Sequence, residues 1–221
     1  MRRVSAIIVA AGEGRRFGFS KQFALLKGKS VLDWCLEKFE ANKSVAEIIL
    51  VLKDENLKGK FLSRYQKIVA VAKGGEKRQD SVLCGLQRID PEKADIVLVH
   101  DGVRPLVGQD LIERVIAAAQ ENGAAVPAIP VEDTIKLIQK QEVRQTLERE
   151  GLFRIQTPQG FTYGILKHAL DKAAQENFYG TDEASLVERT GKKVAVVAGD
   201  AKNIKITTRQ DLRIAEALLE D

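Results

Sequence analysis

Short apolar runs of β type alternate with amphipathic helical stretches through the first 129 residues, and this rhythm leaves the chain few architectures. Apolar runs at 4–9, 47–52, 67–72, 94–99 and 124–129 are separated by helical patterns at 30–42, 55–65, 79–89 and 106–122. Strands and helices alternating at this spacing form βαβ units in a mostly parallel sheet. Ser30 stands where it caps its helix, with Asp33 three residues on. Three of the runs empty into loops of ligand-binding type. The first gives Ala10-Ala11-Gly12-Glu13-Gly14-Arg15-Arg16-Phe17-Gly18 and then Ser20-Lys21-Gln22. The third gives Lys73-Gly74-Gly75-Glu76-Lys77-Arg78-Gln79-Asp80-Ser81, and the fourth His100-Asp101-Gly102-Val103-Arg104-Pro105. Loops at the carboxyl ends of one sheet face a common crevice, where ligands of open α/β sheets sit.

The first loop suits an anion. Glycines let a backbone approach a phosphate and expose its N–H groups; Arg15, Arg16 and Lys21 add formal charge. A dinucleotide fingerprint needs glycines at the first, third and sixth positions of its run. Counted from Gly12, the sixth position is Phe17, and Gly18 comes one later. Taken alone, the loop reads either as a nucleotide site or as a surface loop with solvated charges.

From 131 to 156 the alternation breaks. Residues 134–138 look like a strand, 139–145 are polar and turn-like, and 146–155 are mixed. Interleaved Val143, Leu147, Leu152 and Phe153 argue against disorder. The reading is a β-arm over 132–155, and an arm with apolar residues but no core of its own packs on a partner. The sheet resumes near Ile155. Residues 157–161 read as a turn, 163–176 and 182–189 as helices, and 194–197 and 203–207 as strands. Thr208 caps a closing helix. The chain, 1–221, shows no repeat or linker and is expected to be a single domain.

The formal net charge of +4 favours anionic ligands. With three Tyr, one Trp and no basic tract, small phosphorylated ligands are expected rather than nucleic acid. No apolar run reaches membrane-spanning length, and Met1-Arg2-Arg3 leads straight into a strand without a signal-peptide pattern. A cytoplasmic protein without membrane contact is expected. Cys35 and Cys84 read as small core residues, and His100 and His168 lie too far apart in sequence to suggest a metal pair.

Asp101 stands at the end of an apolar run in the presumed crevice. Mg²⁺ is commonly held by one or two carboxylates plus substrate phosphates, but Asp101 serves equally as a turn residue leading into Pro105. Lys205, between Ile204 and Ile206, reads as a crevice or solvent-facing lysine, and Thr181-Asp182-Glu183 reads also as a helix N-cap. No Ser/His/Asp or Cys/His arrangement suggests an activated nucleophile. Joining a phosphate to a nucleotide needs none, because a phosphomonoester with a second pKa of about 6 is already a dianion. Positioning and charge stabilisation remain.

Taken together, the motifs Ala10-Ala11-Gly12-Glu13-Gly14-Arg15-Arg16, Ser20-Lys21-Gln22, Gly74-Gly75 with Arg78 and Asp80-Ser81-Val82, His100-Asp101-Gly102-Val103-Arg104-Pro105, Glu132-Asp133-Thr134, Thr157-Pro158-Gln159, Thr181-Asp182-Glu183 and Asn203-Ile204-Lys205-Ile206-Thr207 resemble the 2-C-methyl-D-erythritol 4-phosphate cytidylyltransferase family of the non-mevalonate isoprenoid pathway. The resemblance implies a Rossmann-like, mostly parallel sheet of the nucleotide-diphospho-sugar transferase type with a protruding β-arm. It implies a catalytic set of Arg16, Lys21 and Lys205. It implies CTP binding by Ala10, Ala11, Gly12, Gly14, Arg15, Gly75, Arg78 and Ser81, and a divalent cation, Mg²⁺ or another, on Asp101. Arg104, Thr134, Thr157, Thr181 and Asp182 would line the site for the sugar-alcohol phosphate. Arg149 would reach it from the neighbouring subunit of a homodimer built through the arm. Val103 stands where relatives often carry a second small residue. The rival within the same motifs is a ribitol 5-phosphate cytidylyltransferase. From other classes come a non-catalytic nucleotide-binding protein and an NAD(P)-dependent oxidoreductase, the latter opposed by the lack of a ribose reader about twenty residues past the glycines.

Overall fold

The computed structural model describes residues 3–12, 17 and 20–219. In chain order the elements begin with β1 (Val4–Ala10), a short 3₁₀ turn at Lys21–Phe23, the two-residue strands β2 (Leu25–Leu26) and β3 (Lys29–Ser30), and α1 (Val31–Ala41). β4 (Val45–Leu52), a second 3₁₀ turn at Glu55–Leu57, α2 (Lys58–Leu62), β5 (Ile68–Lys73), α3 (Arg78–Leu86), β6 (Ile96–Asp101), α4 (Gln109–Asn122) and β7 (Ala124–Pro130) follow. Then come β8 (Ile135–Gln139), β9 (Glu142–Leu147), β10 (Phe153–Ile155), β11 (Gln159–Thr162), α5 (Tyr163–Gln175), α6 (Glu183–Arg189), β12 (Ala195–Ala198) and α7 (Arg209–Leu218). No helix among the described residues is long and apolar enough to cross a membrane.

Eight strands form the main sheet. β5, β4, β1 and β6 lie side by side and parallel. β11 runs antiparallel between β6 and β7, β10 continues along the same edge of β7, and β12 closes the other edge in parallel. A strand covered on both faces is apolar at every position, and β1 shows this. Ala6, Ile8 and Ala10 join the layer with α1 and α4, while Ile7 faces the layer with α3, α5 and α6. Fully burying such a side chain contributes about 1.5–3 kcal/mol, so both helical layers hold β1 in place. A third, smaller cluster of Phe17, Leu26, Val31, Val103, Ile206 and Ala215 ties the β2–β3 ribbon and α7 to the strand-end loops.

Four expectations change. The turn expected at 157–161 is largely strand: Gly160 packs so tightly that a Cβ there would lie 2.9 Å from Val115 and 3.0 Å from Ala119. Pro-Gln-Gly has turn chemistry, yet here the glycine admits a helix against the sheet. The polar stretch 139–145 is mostly β9, paired with β8. Lys140 and Gln141, with φ of 49° and 65°, supply the positive φ that a two-residue hairpin turn requires, without the Asn-Gly that would have announced it. Residues 203–207 are not a strand; the segment is fastened by a bond from Ile206 N–H to the Val103 carbonyl. The helix expected over 55–65 is shorter, a 3₁₀ turn followed by α2. Cys35 is buried, and burial pushes its thiol up; Cys84 is half-buried.

Candidate active site

β6 ends on Asp101, which is 6% exposed, and its carboxylate organises the crevice. Arg78 Nε donates to Asp101 Oδ1 at 2.9 Å. Lys205 Nζ lies 2.7 Å from Oδ2, and Arg104 Nε 3.8 Å from the same oxygen. Burial alone would push this carboxyl up. The charges of Arg78 and Lys205 overcome that and hold it well below the usual carboxylate range. Arg78 in turn gives two bonds from NH1 to Glu183, at 2.7 and 2.6 Å. Removing one partner of such a buried pair costs about 3–5 kcal/mol, so the cluster holds its geometry only while its members are present.

The β1 loop meets this cluster from one side. Gln22 is buried, and its Nε2 donates to the carbonyls of Ala10 and Gly12 at 2.8 and 3.1 Å. The start of the loop is thereby pinned by a residue one place from Lys21. Gly74 sits where a Cβ would fall 2.3 Å from the Ala11 Cβ, so only glycine lets the β5 loop lie against the β1 loop. Ala10, Ala11, Gly12, Lys21, Gly75, Arg78, Ser81, Asp101 and Lys205 all line one crevice, with Val103 in its wall. Gly14, Arg15 and Arg16 lie outside the described residues.

Behind Asp101 is a second buried network. His100 is 0% exposed; burial pushes its pKa down to about 3, so the ring is neutral. The Arg104 carbonyl, 3.3 Å from Nε2, can only accept, which places the single proton on Nε2. Nδ1 therefore accepts from Thr157 Oγ1 at 3.1 Å, and the same hydroxyl accepts from Asp101 N–H at 3.1 Å. Thr157 thus acts first on the Asp101 backbone. Asn203 donates from Nδ2 to the Thr157 carbonyl and accepts Arg104 NH1 on its own carbonyl. Arg104 Nε, buried, has no hydrogen-bond partner.

Asp182 follows its capping reading. Oδ1 accepts from Ser185 N–H and Oδ2 from Gln159 Nε2, while Thr181 beside it is exposed. Thr134 and Arg149 are exposed on the arm, where Arg149 NH1 donates to the Glu132 carbonyl, and neither lines the crevice of this chain. Sequence reasoning passed over Glu183, Gln22, Gln159, His100 and Asn203 as individual actors. Each lies inside a motif, but what marks it is a long-range partner that spacing does not reveal.

The IspD family, 2-C-methyl-D-erythritol 4-phosphate cytidylyltransferase, matches residues 4–221. This chain belongs to that family. It is therefore a nucleotidyltransferase of the cytidylyltransferase kind. A curated family member from Clostridioides difficile (strain 630) is 42% identical over 97% of this chain and 93% of its own length. One from Geobacillus kaustophilus (strain HTA426) is 43% identical over 97% of this chain and 96% of its own. A solved 4-diphosphocytidyl-2C-methyl-D-erythritol synthase from Anaerococcus prevotii DSM 20548 superposes with a TM-score of 0.87 at 35% identity, covering 100% of this chain and 99% of that one. The cytidylyltransferase from Thermus thermophilus gives 0.83 at 34% identity, covering 97% and 98%. The mostly parallel sheet is thus the family's fold, as the motifs implied.

Proposed function

We propose that the crevice transfers CMP from CTP to 2-C-methyl-D-erythritol 4-phosphate, yielding 4-diphosphocytidyl-2-C-methyl-D-erythritol and pyrophosphate. The observation that carries this reading is the buried Asp101 carboxylate ringed by Arg78, Arg104 and Lys205 beside two loops packed together by glycine. Cations gathered at one point and held by a single carboxylate suit transferring phosphates. An oxygen of the acceptor's phosphate dianion attacks the α-phosphorus of CTP, and the bond from that phosphorus to the oxygen bridging the α- and β-phosphates breaks. Pyrophosphate leaves with that electron pair, and no base is needed. Lys21 and Lys205, with Arg16, meet the charge that builds on the phosphates. The backbones of Ala10, Ala11, Gly12, Gly14 and Gly75, with Arg15, Arg78 and Ser81, bind CTP. Arg104, Thr134, Thr157, Thr181 and Asp182 hold the acceptor.

Among the described residues no three His, Cys, Asp or Glu side chains come together to hold a metal. A site with one carboxylate and the phosphates of a nucleotide fits Mg²⁺, which keeps several waters and few protein ligands. Asp101 would hold it, and when bound it would neutralise triphosphate charge. Two copies of the chain form the working unit through the arm, with Arg149 completing the partner's acceptor site, and the enzyme works in the cytoplasm. The support is the arm's exposed Leu137, Ile138 and Val143.

The test is pyrophosphate release from CTP with Mg²⁺, comparing 2-C-methyl-D-erythritol 4-phosphate with ribitol 5-phosphate. Turnover with the first is expected. Turnover only with ribitol 5-phosphate moves the acceptor assignment, and CTP binding without turnover on either overturns the catalytic reading.

A further inference from the structure

Arg78 stands first in α3 and Glu183 first in α6, so their ion pair joins the helix that opens beside the CTP loops to the helix that opens beside Thr181 and Asp182. Glu183 is 1% exposed and spends both carboxylate oxygens on one guanidinium nitrogen of Arg78. Arg78 gives one further bond, from Nε, to Asp101 Oδ1, and Lys205 meets the second oxygen of Asp101. A guanidinium carries five N–H donors in a rigid plane, so two carboxylates on different edges fix its orientation.

We propose that Glu183 is a positioning residue for nucleotidyl transfer: by holding Nη1 of Arg78 with both its oxygens it fixes the orientation in which Arg78 Nε meets Asp101 Oδ1 while Lys205 meets Oδ2. The inference rests on the function proposed above and adds a residue to its machinery. It explains a costly arrangement. A carboxylate buried beyond contact with solvent is unfavourable unless paired, and α6 does not need it for attachment. Gln159 already fastens that helix, donating to Asp182 and accepting from Ala184 N–H. Gln79 independently ties the start of α3 to the chain before α6, donating to the Phe178 carbonyl and accepting from Gly180 N–H at 3.1 Å each. With those ties present, Glu183 is left with the task of orienting Arg78.

The experiment compares Glu183→Gln and Glu183→Asp with the parent enzyme. Glu183→Gln is expected to lower kcat about 10- to 100-fold, as loss of a charged hydrogen-bond partner does. CTP affinity by calorimetry should fall by a smaller factor than kcat, because Arg78 is one of several CTP-binding groups and the glycine loops that receive the nucleotide are untouched. Glu183→Asp, which keeps the charge, should recover part of the rate. A crystal structure of Glu183→Gln should show the Arg78 guanidinium turned, with Nε more than about 3.5 Å from Asp101 Oδ1. Parental kcat in Glu183→Gln, or equal losses of kcat, CTP affinity and melting temperature with no recovery in Glu183→Asp, overturns the proposal. An unmoved Arg78 overturns it whatever the activity. Should Glu183→Gln not fold, Arg78→Lys carries the test: a lysine lacks the rigid planar fork that meets Asp101 from one edge and Glu183 from another, and parental kcat there refutes the need for the bridge. A parent inactive with both sugar-alcohol phosphates refutes the proposed function, while the position of Arg78 in the variant crystal still decides this inference.

Discussion

In the crevice, Asp101, Arg78 and Glu183 are paired within the chain, and the side chains behind them are fully buried. On the arm the reverse holds. Leu137, Ile138 and Val143 are 53%, 61% and 59% exposed, and among the described residues β8 and β9 pair only with each other. A two-stranded hairpin alone is marginal in water, and among the described residues this one covers no core on either face. The crevice charges are therefore paired within one chain, whereas the arm leaves its apolar side chains uncovered. A catalytic centre needs preorganised charge, which a sheet edge can supply from its own loops. In the dimer proposed above, Arg149 from a second copy would place one determinant of the acceptor site under the control of assembly.

The largest test of this contrast removes a crevice cation. Lys205→Ala should lower turnover by a factor on the order of 100 or more, by analogy with deleting one transition-state donor, and Lys21→Ala likewise. Dimer affinity should not change. Pyrophosphate release and sedimentation read the two halves, and near-parental turnover in both variants would mean that the reacting phosphates sit elsewhere. Ile138→Asp makes the complementary cut. A charge buried in a dry interface is expensive, so dimer dissociation should strengthen about 10- to 100-fold while CTP affinity holds. An unchanged sedimentation profile would leave the exposed stripe without its partner copy. Smaller again is Arg149→Ala. It should raise KM for the acceptor about tenfold, the scale of one charged hydrogen bond, and leave KM for CTP nearly unmoved. Equal effects on both would place Arg149 outside the acceptor site.

The same contrast explains what sequence revealed. The β-runs of the first 129 residues were legible from their alternation with helical patterns; in β1, burial on both faces leaves an unbroken apolar run, as in Ile7 and Ile8, while β5, at the sheet edge with Val69 54% exposed, was legible from its place in that alternation. Ala10, Gly75 and Asp101 were legible as a set because strand-end loops of one sheet converge, whereas Lys205, on a segment that is not a strand, came into the set only through the family resemblance. β9 was hidden because neither of its faces is buried, so its sequence carries no period-two apolar pattern. β11 was hidden because Gly160 serves a helix contact rather than a turn. The role of Glu183 depends on Arg78, over a hundred positions away in the chain, and no local pattern encodes that bond. His100 shows the same limit: its proton position follows from the Arg104 carbonyl and the Thr157 hydroxyl together.

The smallest effect asks how Lys205 keeps its place without a strand to hold it. The chain after it enters α7, where Thr208 accepts from Asp211 N–H and Asp211 returns bonds to the N–H groups of Thr207 and Thr208. Before α7, Ile206 is fully buried against the Val103 loop and bonded to it. Two anchors thus flank the segment, and they are separable. Thr208→Ala removes only the cap, which should lower stability by about 1 kcal/mol, seen as a few degrees in the melting curve, with kcat unchanged. Such a result would assign Lys205 to the buried Ile206 and its own ion pair with Asp101. A fall in kcat alongside the melting temperature would instead make α7 part of the device that aims Lys205, and would extend the crevice to the end of the chain.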